Sequence, residues 1–216
     1  MTSILRGTGT TPSERRLARL AEGTFLDLWS YPNPHRDQRS AAGTEGKENC
    51  DLLVVCGNHV VMFSEKTIAW TKSDDVRTSW PRWYKKAIRN SAKQLKGARR
   101  WLETQPDRVF VDAECTQRLP IELPPLATRV THMRVVAHGA RPACAEFWGG
   151  EDRGSLIVMP SLSGDEHLGD SAFPFAVGDV APDSSLVHVL DDGNLSMVLT
   201  ELDTVRDFTD YLSQDP

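Results

Sequence analysis

The N-terminal part of the chain carries apolar residues at the three- and four-residue spacing of a helix. These positions are Leu17, Leu20, Ala21, Thr24, Phe25 and Leu28. The segment Thr11-Pro12-Ser13-Glu14 precedes them and predicts a capped helix start, with Thr11 as the N-cap and Glu14 as its capping-box partner. Pro32 is expected to stop the helix, because proline lacks the backbone N–H that a helix interior uses.

Two short apolar runs joined by a turn signal follow this helix. The runs are Leu52–Val55 and His59–Lys66, and Gly57-Asn58 lies between them. Glycine and asparagine tolerate the positive φ angles of a tight hairpin turn. The pattern therefore predicts two adjacent strands of one sheet.

The rest of the chain alternates between one long helix and several strands. An apolar stripe at spacings of four and three predicts a helix from Pro81 to about Gln105. Apolar runs predict a core strand at 109–111, strands at 130–137 and 156–159, and a hairpin of 186–190 with 195–199 around Asp191-Asp192-Gly193-Asn194. This order predicts a three-layer α/β or α+β fold, with a mixed central sheet flanked by helices.

Length and composition describe one globular domain, or one domain with an appendage. Of the 216 residues, 39% are hydrophobic and 25% are charged, which is typical of a globular protein with a sizeable core. No apolar run of about 18 residues and no secretory signal is present, so we expect a cytoplasmic protein without a membrane partner. The cysteines lack metal-ligand spacing and predict reduced thiols; they are Cys50, Cys56, Cys115 and Cys144.

The charge of the chain is distributed unevenly. The net charge is −5, yet the segment from Arg82 to Arg100 holds eight Lys or Arg residues and no Asp or Glu. Basic residues on one helix can present a positive stripe to phosphates even on an acidic protein. The predicted nucleic-acid contacts on this stripe are Lys85, Lys86, Arg89, Lys93 and Lys96.

The two hairpin strands also carry the chemistry of a candidate site. Asp51 opens the first strand, while Glu65 and Lys66 close the second. Side chains alternate along a strand, which places Ser64 and Lys66 on one face and Glu65 on the other. A carboxylate beside a lysine is the layout of metal-dependent phosphodiester hydrolysis, in which the acid holds a divalent cation and the lysine stabilises the developing charge.

These residues resemble the PD-(D/E)XK, or restriction-endonuclease-like, nuclease superfamily, whose core is a helix, a three-stranded meander, a helix and a strand. The resemblance assigns the first-helix acid to Glu22, the second-strand acid to Asp51, the third-strand motif to Ser64-Glu65-Lys66, and the glutamine of the following helix to Gln94. It implies a nuclease-like core over residues 1–112. Residues 113–216 are expected to form a β-rich C-terminal part packed on the same domain.

The sequence departs from this superfamily at Ser64, where the family has an acid. A hydroxyl is a poorer Mg²⁺ ligand than a carboxylate. A bulge that re-aims Glu65 would repair the site, as would an acid from the helix or loop, and the acids available there are Glu22, Glu45 and Glu48. Otherwise the fold would persist without catalysis.

Two functional hypotheses follow, together with two open alternatives, one of which is an interaction scaffold whose C-terminal half, residues 113–216, does the recognising. The first is a Mg²⁺- or Mn²⁺-dependent endonuclease, acting on DNA in restriction or phage defence as the resemblance implies. The second is a catalytically inactive nuclease-like domain that binds nucleic acid or a partner protein. A Cys144–His132 hydrolase pair stays open, although we expect His132, His138 and His188 to be core or edge residues. The choice of DNA or RNA, the sequence specificity, and homo-oligomerisation or assembly into a larger defence complex are left open.

Overall fold

The computed structural model describes residues 7–38, 45–73, 75–150, 154–168, 173–184, 186–202 and 204–213. The chain divides into two compact units, and each unit is discontinuous in sequence. The first unit comprises Met1–Phe63, Gln94–His132 and Leu199–Pro216. The second comprises Ser64–Lys93 and Met133–Val198.

The first helix, α1 (Pro12–Trp29), begins with the predicted capping box. The Thr11 hydroxyl accepts a hydrogen bond from the backbone N–H of Glu14 at 3.2 Å, and the Glu14 carboxylate accepts from the backbone N–H of Thr11 at 3.3 Å. The apolar stripe buries Leu17, Ala21 and Phe25. The helix ends at Trp29, and the short strand β1 (Ser30–Pro32) follows directly.

The predicted hairpin forms β4 (Leu52–Cys56) and β5 (His59–Thr67), which pair antiparallel from Leu52 opposite Phe63 to Cys56 opposite His59. Gly57 makes the turn at φ +54°, as the turn signal requires. With β7 (Val130–His138) and β10 (Val187–Leu190) these strands form a sheet in the order β1-β4-β5-β7-β10. Because β1 and β4 are antiparallel while β7 and β10 are parallel, the sheet is mixed. The predicted α/β class with a mixed central sheet is therefore confirmed.

A second, smaller sheet lies within the first unit. It consists of β2 (His35–Arg36), β3 (Lys47–Glu48) and β6 (Val109–Phe110), in the order β3-β2-β6. The predicted core strand at 109–111 is present as β6, whose two residues are buried, and it belongs to this smaller sheet rather than to the five-stranded one.

The long helix begins earlier than predicted. Helix α2 (Val76–Tyr84) starts five residues before the expected Pro81, and it continues through a π-helical turn at Lys85–Arg89 into α3 (Asn90–Thr104). The side chain of Asp75 caps α2 by accepting from the backbone N–H of Arg77 at 2.9 Å. That cap satisfies a backbone donor otherwise unpaired at the helix start, and Pro81 is accommodated inside the helix.

The C-terminal part contains helices as well as strands. Its helices are α4 (Arg141–Trp148), a 3₁₀ helix (Gly164–Leu168), α5 (Asp192–Glu201) and α6 (Val205–Ser213), and its further strands are β8 (Ile157–Ser163) and β9 (Ala176–Asp179), which pair in parallel. The predicted hairpin around residues 191–194 is wrong, because α5 starts there. None of the helices within the described ranges is both long and apolar enough to cross a membrane.

Candidate active site

The end of β5 buries a polar sequence. Ser64 and Glu65 are 0% and 3% exposed, and Lys66 is half-buried. Glu65 is therefore not a solvent-face residue, as strand charges usually are. Among the described residues the hydroxyl of Ser64 finds no hydrogen-bond partner.

The carboxylate of Glu65 belongs to a group within the second unit, which we call the imidazole triad (Glu65, His138 and Asp192). Glu65 and His138 are buried, and Asp192 is half-buried. The Nε2 atom of His138 lies 2.8 Å from Oε1 of Glu65. Its Nδ1 atom lies 2.6 Å from Oδ1 of Asp192. These distances are typical of charge-assisted hydrogen bonds, which are stronger than neutral ones.

The charge state of the imidazole triad follows from its contacts. Burial alone would lower the pKa of His138, but the hydrogen bonds to Asp192 and Glu65, and then their charges, raise that pKa to about 9. His138 is therefore an imidazolium at neutral pH. It compensates two carboxylates at a site where its own side chain is only 8% exposed.

Each member of the imidazole triad lies at or near the end of a strand or the start of a helix. His138 is the last residue of β7, and Asp192 is the first residue of α5, which follows β10. Because β7 and β10 are parallel, their carboxyl ends meet at one edge of the sheet. Such edges are where open α/β sheets commonly place their ligands.

Asp191 fixes the start of α5. Its Oδ1 atom accepts hydrogen bonds from the backbone N–H groups of Gly193 and Asn194 at 2.8 and 3.0 Å. Its Oδ2 atom accepts from the backbone N–H of Leu156 at 2.6 Å. Asp191 is thus a helix cap, and this is the physical reason why the sequence 191–194 does not form the predicted hairpin turn.

A glycine allows β7 to end where it does. Gly139 has φ +102°, and a Cβ atom there would collide with the carbonyl oxygen of Ile68. The backbone N–H of Ile68 donates to the carbonyl of His138 at 3.1 Å. The close approach that seats His138 therefore requires glycine at position 139.

A groove of about 770 Å³ also lies within the second unit. Gly139, the residue that follows His138, is part of its lining. The groove is lined by Ala69, Trp70, Lys72, Ser73, Asp75, Val76, Ser79, Gly139, Pro142, Ala143, Glu146 and Phe147. The rings of Trp70 and Phe147 both pack on Phe175, with centroids 5.0 and 5.5 Å away. Lys72 pairs with Glu146 at 2.8 Å, but both side chains are largely exposed, so the pair contributes little stability. A groove of this size suits a small ligand or a short extended segment.

The first unit holds Asp51 and Glu48. Asp51 is 5% exposed, and its backbone N–H donates to Phe63 at 3.0 Å. The Nδ2 atom of Asn33 lies 3.1 Å from Glu14 and 3.3 Å from Glu48, and we call this group the amide bridge (Glu14, Asn33 and Glu48). The predicted grouping of Asp51 with Glu65 and Lys66 joins residues of different units and stays a prediction.

Other predicted site residues are not members of these clusters. Glu22 on α1 and Glu45 are exposed, and Gln94 on α3 is half-buried. The basic residues Lys85, Lys86, Arg89 and Lys93 are exposed, and Lys96 is half-buried. Arg89 pairs with Asp165 at 3.0 Å.

The alternative Cys144–His132 hydrolase gains no support. Burial raises the pKa of the Cys144 thiol to about 11, so little of the nucleophilic thiolate is present at neutral pH. The sulfur donates instead to the carbonyl of Ser155 at 3.3 Å. The ring of His132 bonds to and stacks on His59, with 3.2 Å between the ring nitrogens.

Sequence reasoning missed the two partners of Glu65. The sequence predicts His138 as a core or edge residue and places Asp192 in a hairpin turn. Their position in the sequence is the signal that could have identified them, because His138 and Asp192 are polar residues at or just after the end of an apolar strand. Comparisons with protein-family models, curated proteins and solved structures find no match for this chain.

Proposed function

We propose that this protein is a metal-dependent nuclease that hydrolyses phosphodiester bonds in nucleic acid, with Glu65 as a metal-binding acid. The proposal requires the long side chain of Lys66, which leaves the opposite face of the strand, to reach the phosphate from the strand end. The observation that carries the proposal is the buried carboxylate of Glu65, held at the end of β5 by His138 and followed directly by Lys66. Strand-end acids seldom stay buried unless they are paired or have a function. The order of α1, the β1-β4-β5 meander, α2–α3 and β7 gives further support, since the superfamily resemblance implies the same order.

A hard divalent cation such as Mg²⁺ or Mn²⁺ is the cofactor that the sequence predicts for this function. Mg²⁺ is usually held by one or two carboxylates, by water and by the substrate's phosphates, and it needs no complete protein cage. Glu65 provides such a carboxylate, and Asp51 is the second one predicted from the sequence. When bound, the cation would supply Lewis-acid chemistry and lower the pKa of its bound water.

The chain's own residues have separate roles in this proposal. The ammonium of Lys66 would stabilise the charge that develops on the phosphate during hydrolysis. The exposed lysines and arginines of α2–α3 would hold the phosphate backbone in a salt-dependent manner. The groove whose lining includes Gly139 would receive the part of the nucleic acid next to the scissile bond. Gln94 would orient site groups, as the resemblance implies, and DNA restriction or phage defence is the proposed context.

The test is cleavage of plasmid DNA, single-stranded DNA and RNA in the presence of Mg²⁺ or Mn²⁺. Lys66→Ala should reduce metal-dependent cleavage by about 100-fold or more, because it removes the cation that is proposed to stabilise transition-state charge. Lys47→Ala is the matched control, since Lys47 is an exposed lysine on another strand, and it should leave cleavage unchanged. Cleavage that persists in Lys66→Ala would contradict the assigned role of this residue.

A catalytically inactive binding module is the second candidate, and the imidazole triad itself favours it. The imidazolium of His138 already compensates Glu65 and Asp192, so neither carboxylate needs a cation for burial. Ser64 stands where an acid would be expected. This candidate predicts nucleic-acid binding that survives Asp51→Ala, with no cleavage by the folded wild type in either metal.

A further inference from the structure

We propose that the groove of about 770 Å³ in the second unit holds an unpaired nucleobase, and that this protein therefore binds single-stranded nucleic acid. The inference rests on the proposed function for its nucleic-acid partner. It adds the class of substrate, a single strand rather than a duplex, and two residues that recognise it, Trp70 and Phe147.

Two aromatic side chains line the groove and are supported from within the fold. Trp70 is half-buried, and Phe147 is 42% exposed. Both rings pack on the buried ring of Phe175, with centroids 5.0 and 5.5 Å away. The ring of Trp70 also lies 6.4 Å from that of Trp83, whose indole N–H donates to the carbonyl of Ile68 at 2.8 Å. The two groove rings are therefore held in place while part of their surface stays accessible to a ligand.

The other walls of the groove leave room for a flat ring. Its lining includes the small residues Ala69, Ser79, Gly139 and Ala143. The volume of about 770 Å³ lies within the range of roughly 300–1,000 Å³ that is typical of small-ligand sites. Aromatic side chains bind unpaired bases by stacking, and they do so for any sequence because every base has a π face.

The charges of the lining favour a base over a phosphate. The charged residues that line the groove are one lysine and two acids, Lys72, Asp75 and Glu146. Lys72 pairs with Glu146 at 2.8 Å, so Asp75 leaves the lining with an excess of negative charge. Such a lining repels phosphate. Carboxylates accept hydrogen bonds, however, and the amino groups of adenine, guanine and cytosine can donate them.

The helix beside the groove carries the charge that suits the phosphates. Val76 and Ser79 of α2 line the groove, and residues 76–93 include no Asp or Glu. Four exposed cations of α2 and the π-helical turn lie outside the lining, namely Arg77, Arg82, Lys85 and Lys86. A single strand on this surface can turn one base into the groove, because its bases are unpaired. In a duplex the bases are paired and stacked, and turning one out costs free energy.

The experiment measures the binding of a fluorescently labelled strand of about 12 nucleotides to the full chain by fluorescence polarisation. EDTA is present to prevent metal-dependent cleavage, and single-stranded DNA and RNA are compared with a blunt DNA duplex and with AMP as a competitor. Circular dichroism verifies that each variant is folded. We expect Trp70→Ala to weaken single-strand binding by about 10- to 100-fold and Phe147→Ala by about 5- to 10-fold, with duplex binding unchanged. Trp70→Phe keeps a ring and should retain most of the affinity.

Tyr211→Ala is the matched control for Phe147→Ala, because Tyr211 is an aromatic residue of similar exposure, 39%, outside the groove. It should bind like wild type. Folded Trp70→Ala and Phe147→Ala variants that bind single strands as tightly as wild type, or that lose duplex binding equally, would overturn the inference. Wild type that binds AMP but no strand, or no nucleic acid at all, would also overturn it.

Cleavage of the same strands with Mg²⁺ or Mn²⁺ is measured separately, so that the two proposals can fail independently. Wild type that binds single strands through Trp70 and Phe147 but cleaves none of them would refute the nuclease and leave this inference intact. Metal-dependent cleavage by wild type, with single-strand binding unaffected by Trp70→Ala and Phe147→Ala, would overturn this inference and leave the nuclease intact.

Discussion

The imidazole triad and the amide bridge solve the same problem in different ways. In each group one side chain lies between two acids and bonds to both. The central group of the triad is an imidazolium between the buried carboxylate of Glu65 and the half-buried one of Asp192, whereas that of the amide bridge is the neutral amide of Asn33 between two half-buried carboxylates. Desolvated charges need a charged partner, while partly hydrated ones need only a hydrogen bond. The two clusters should therefore differ in stability, in pH response and in function.

The largest expected effect comes from removing the central charge of the triad. His138→Leu leaves two carboxylates uncompensated and should lower the free energy of unfolding by about 3–5 kcal/mol. Urea denaturation followed by circular dichroism measures this change. A loss below about 1 kcal/mol would mean that the triad is no more desolvated than a surface ion pair.

The second-largest expected loss of folding stability comes from a change at Gly139, the residue that follows His138. Gly139→Ala places a Cβ atom against the carbonyl of Ile68 at a positive φ, and we expect a loss of about 2–3 kcal/mol. Gly57→Ala is the control, because Gly57 also has a positive φ but its added Cβ would meet open space. It should cost only about 1 kcal/mol. Equal losses from both variants in thermal or urea unfolding would refute the role of close approach at residue 139.

The two clusters should lose stability at opposite ends of the pH scale. The folded pKa of His138, about 9, lies above its ordinary value of 6.5. Its contribution is therefore fully present below about pH 6.5 and is lost as the pH rises through 9. Because each pKa unit corresponds to about 1.4 kcal/mol, we expect a loss of about 2 kcal/mol between pH 7 and 10. His138→Gln should abolish this alkaline dependence in urea unfolding measured across that range.

The amide bridge responds to acid instead. Burial would raise the pKa of Glu14, but hydrogen bonds from Asn33, Thr10 and Thr11 together lower it below its ordinary value. The stability it contributes is present above about pH 4.5 and is lost as the pH falls through the lowered pKa. A triad that lost stability at acid rather than alkaline pH would contradict the assignment of His138 as an imidazolium.

The smallest expected effect is the loss of the amide itself. Asn33→Ala removes the donor to Glu14 and Glu48 and places alanine at a positive φ, so a loss of about 1 kcal/mol is expected. This is several-fold less than the loss for His138→Leu. Parallel urea titrations of the two variants give the comparison directly, and equal losses would remove the distinction between the clusters.

Local sequence signals predicted the parts of the fold that local chemistry decides. The Thr11–Glu14 capping box, the turn at Gly57 and the strand of β7 depend on neighbouring residues, and the structure has each of them. The sequence 191–194 suits a hairpin turn and a helix cap equally well. Its outcome depends on distant contacts, namely the pairing of β10 with β7 and the bond from Leu156 to Asp191.

In the candidate site, too, the sequence predicts what local residues decide and not what distant contacts decide. Glu65 and Lys66 could be chosen from one strand because their types and positions carry the signal. The partners of Glu65 could not, since His138 is 73 residues away and Asp192 is 127 residues away in the chain. Only the arrangement of β5, β7 and α5 brings the three side chains together.

The most direct test of the account is metal-dependent cleavage by wild type and by Glu65→Gln, which removes the charge and keeps the size of the side chain. Wild type should cleave a nucleic-acid substrate with Mg²⁺ or Mn²⁺, and Glu65→Gln should lose this activity while remaining folded. Undiminished cleavage by Glu65→Gln, or no cleavage of DNA or RNA by folded wild type in either metal, would contradict it.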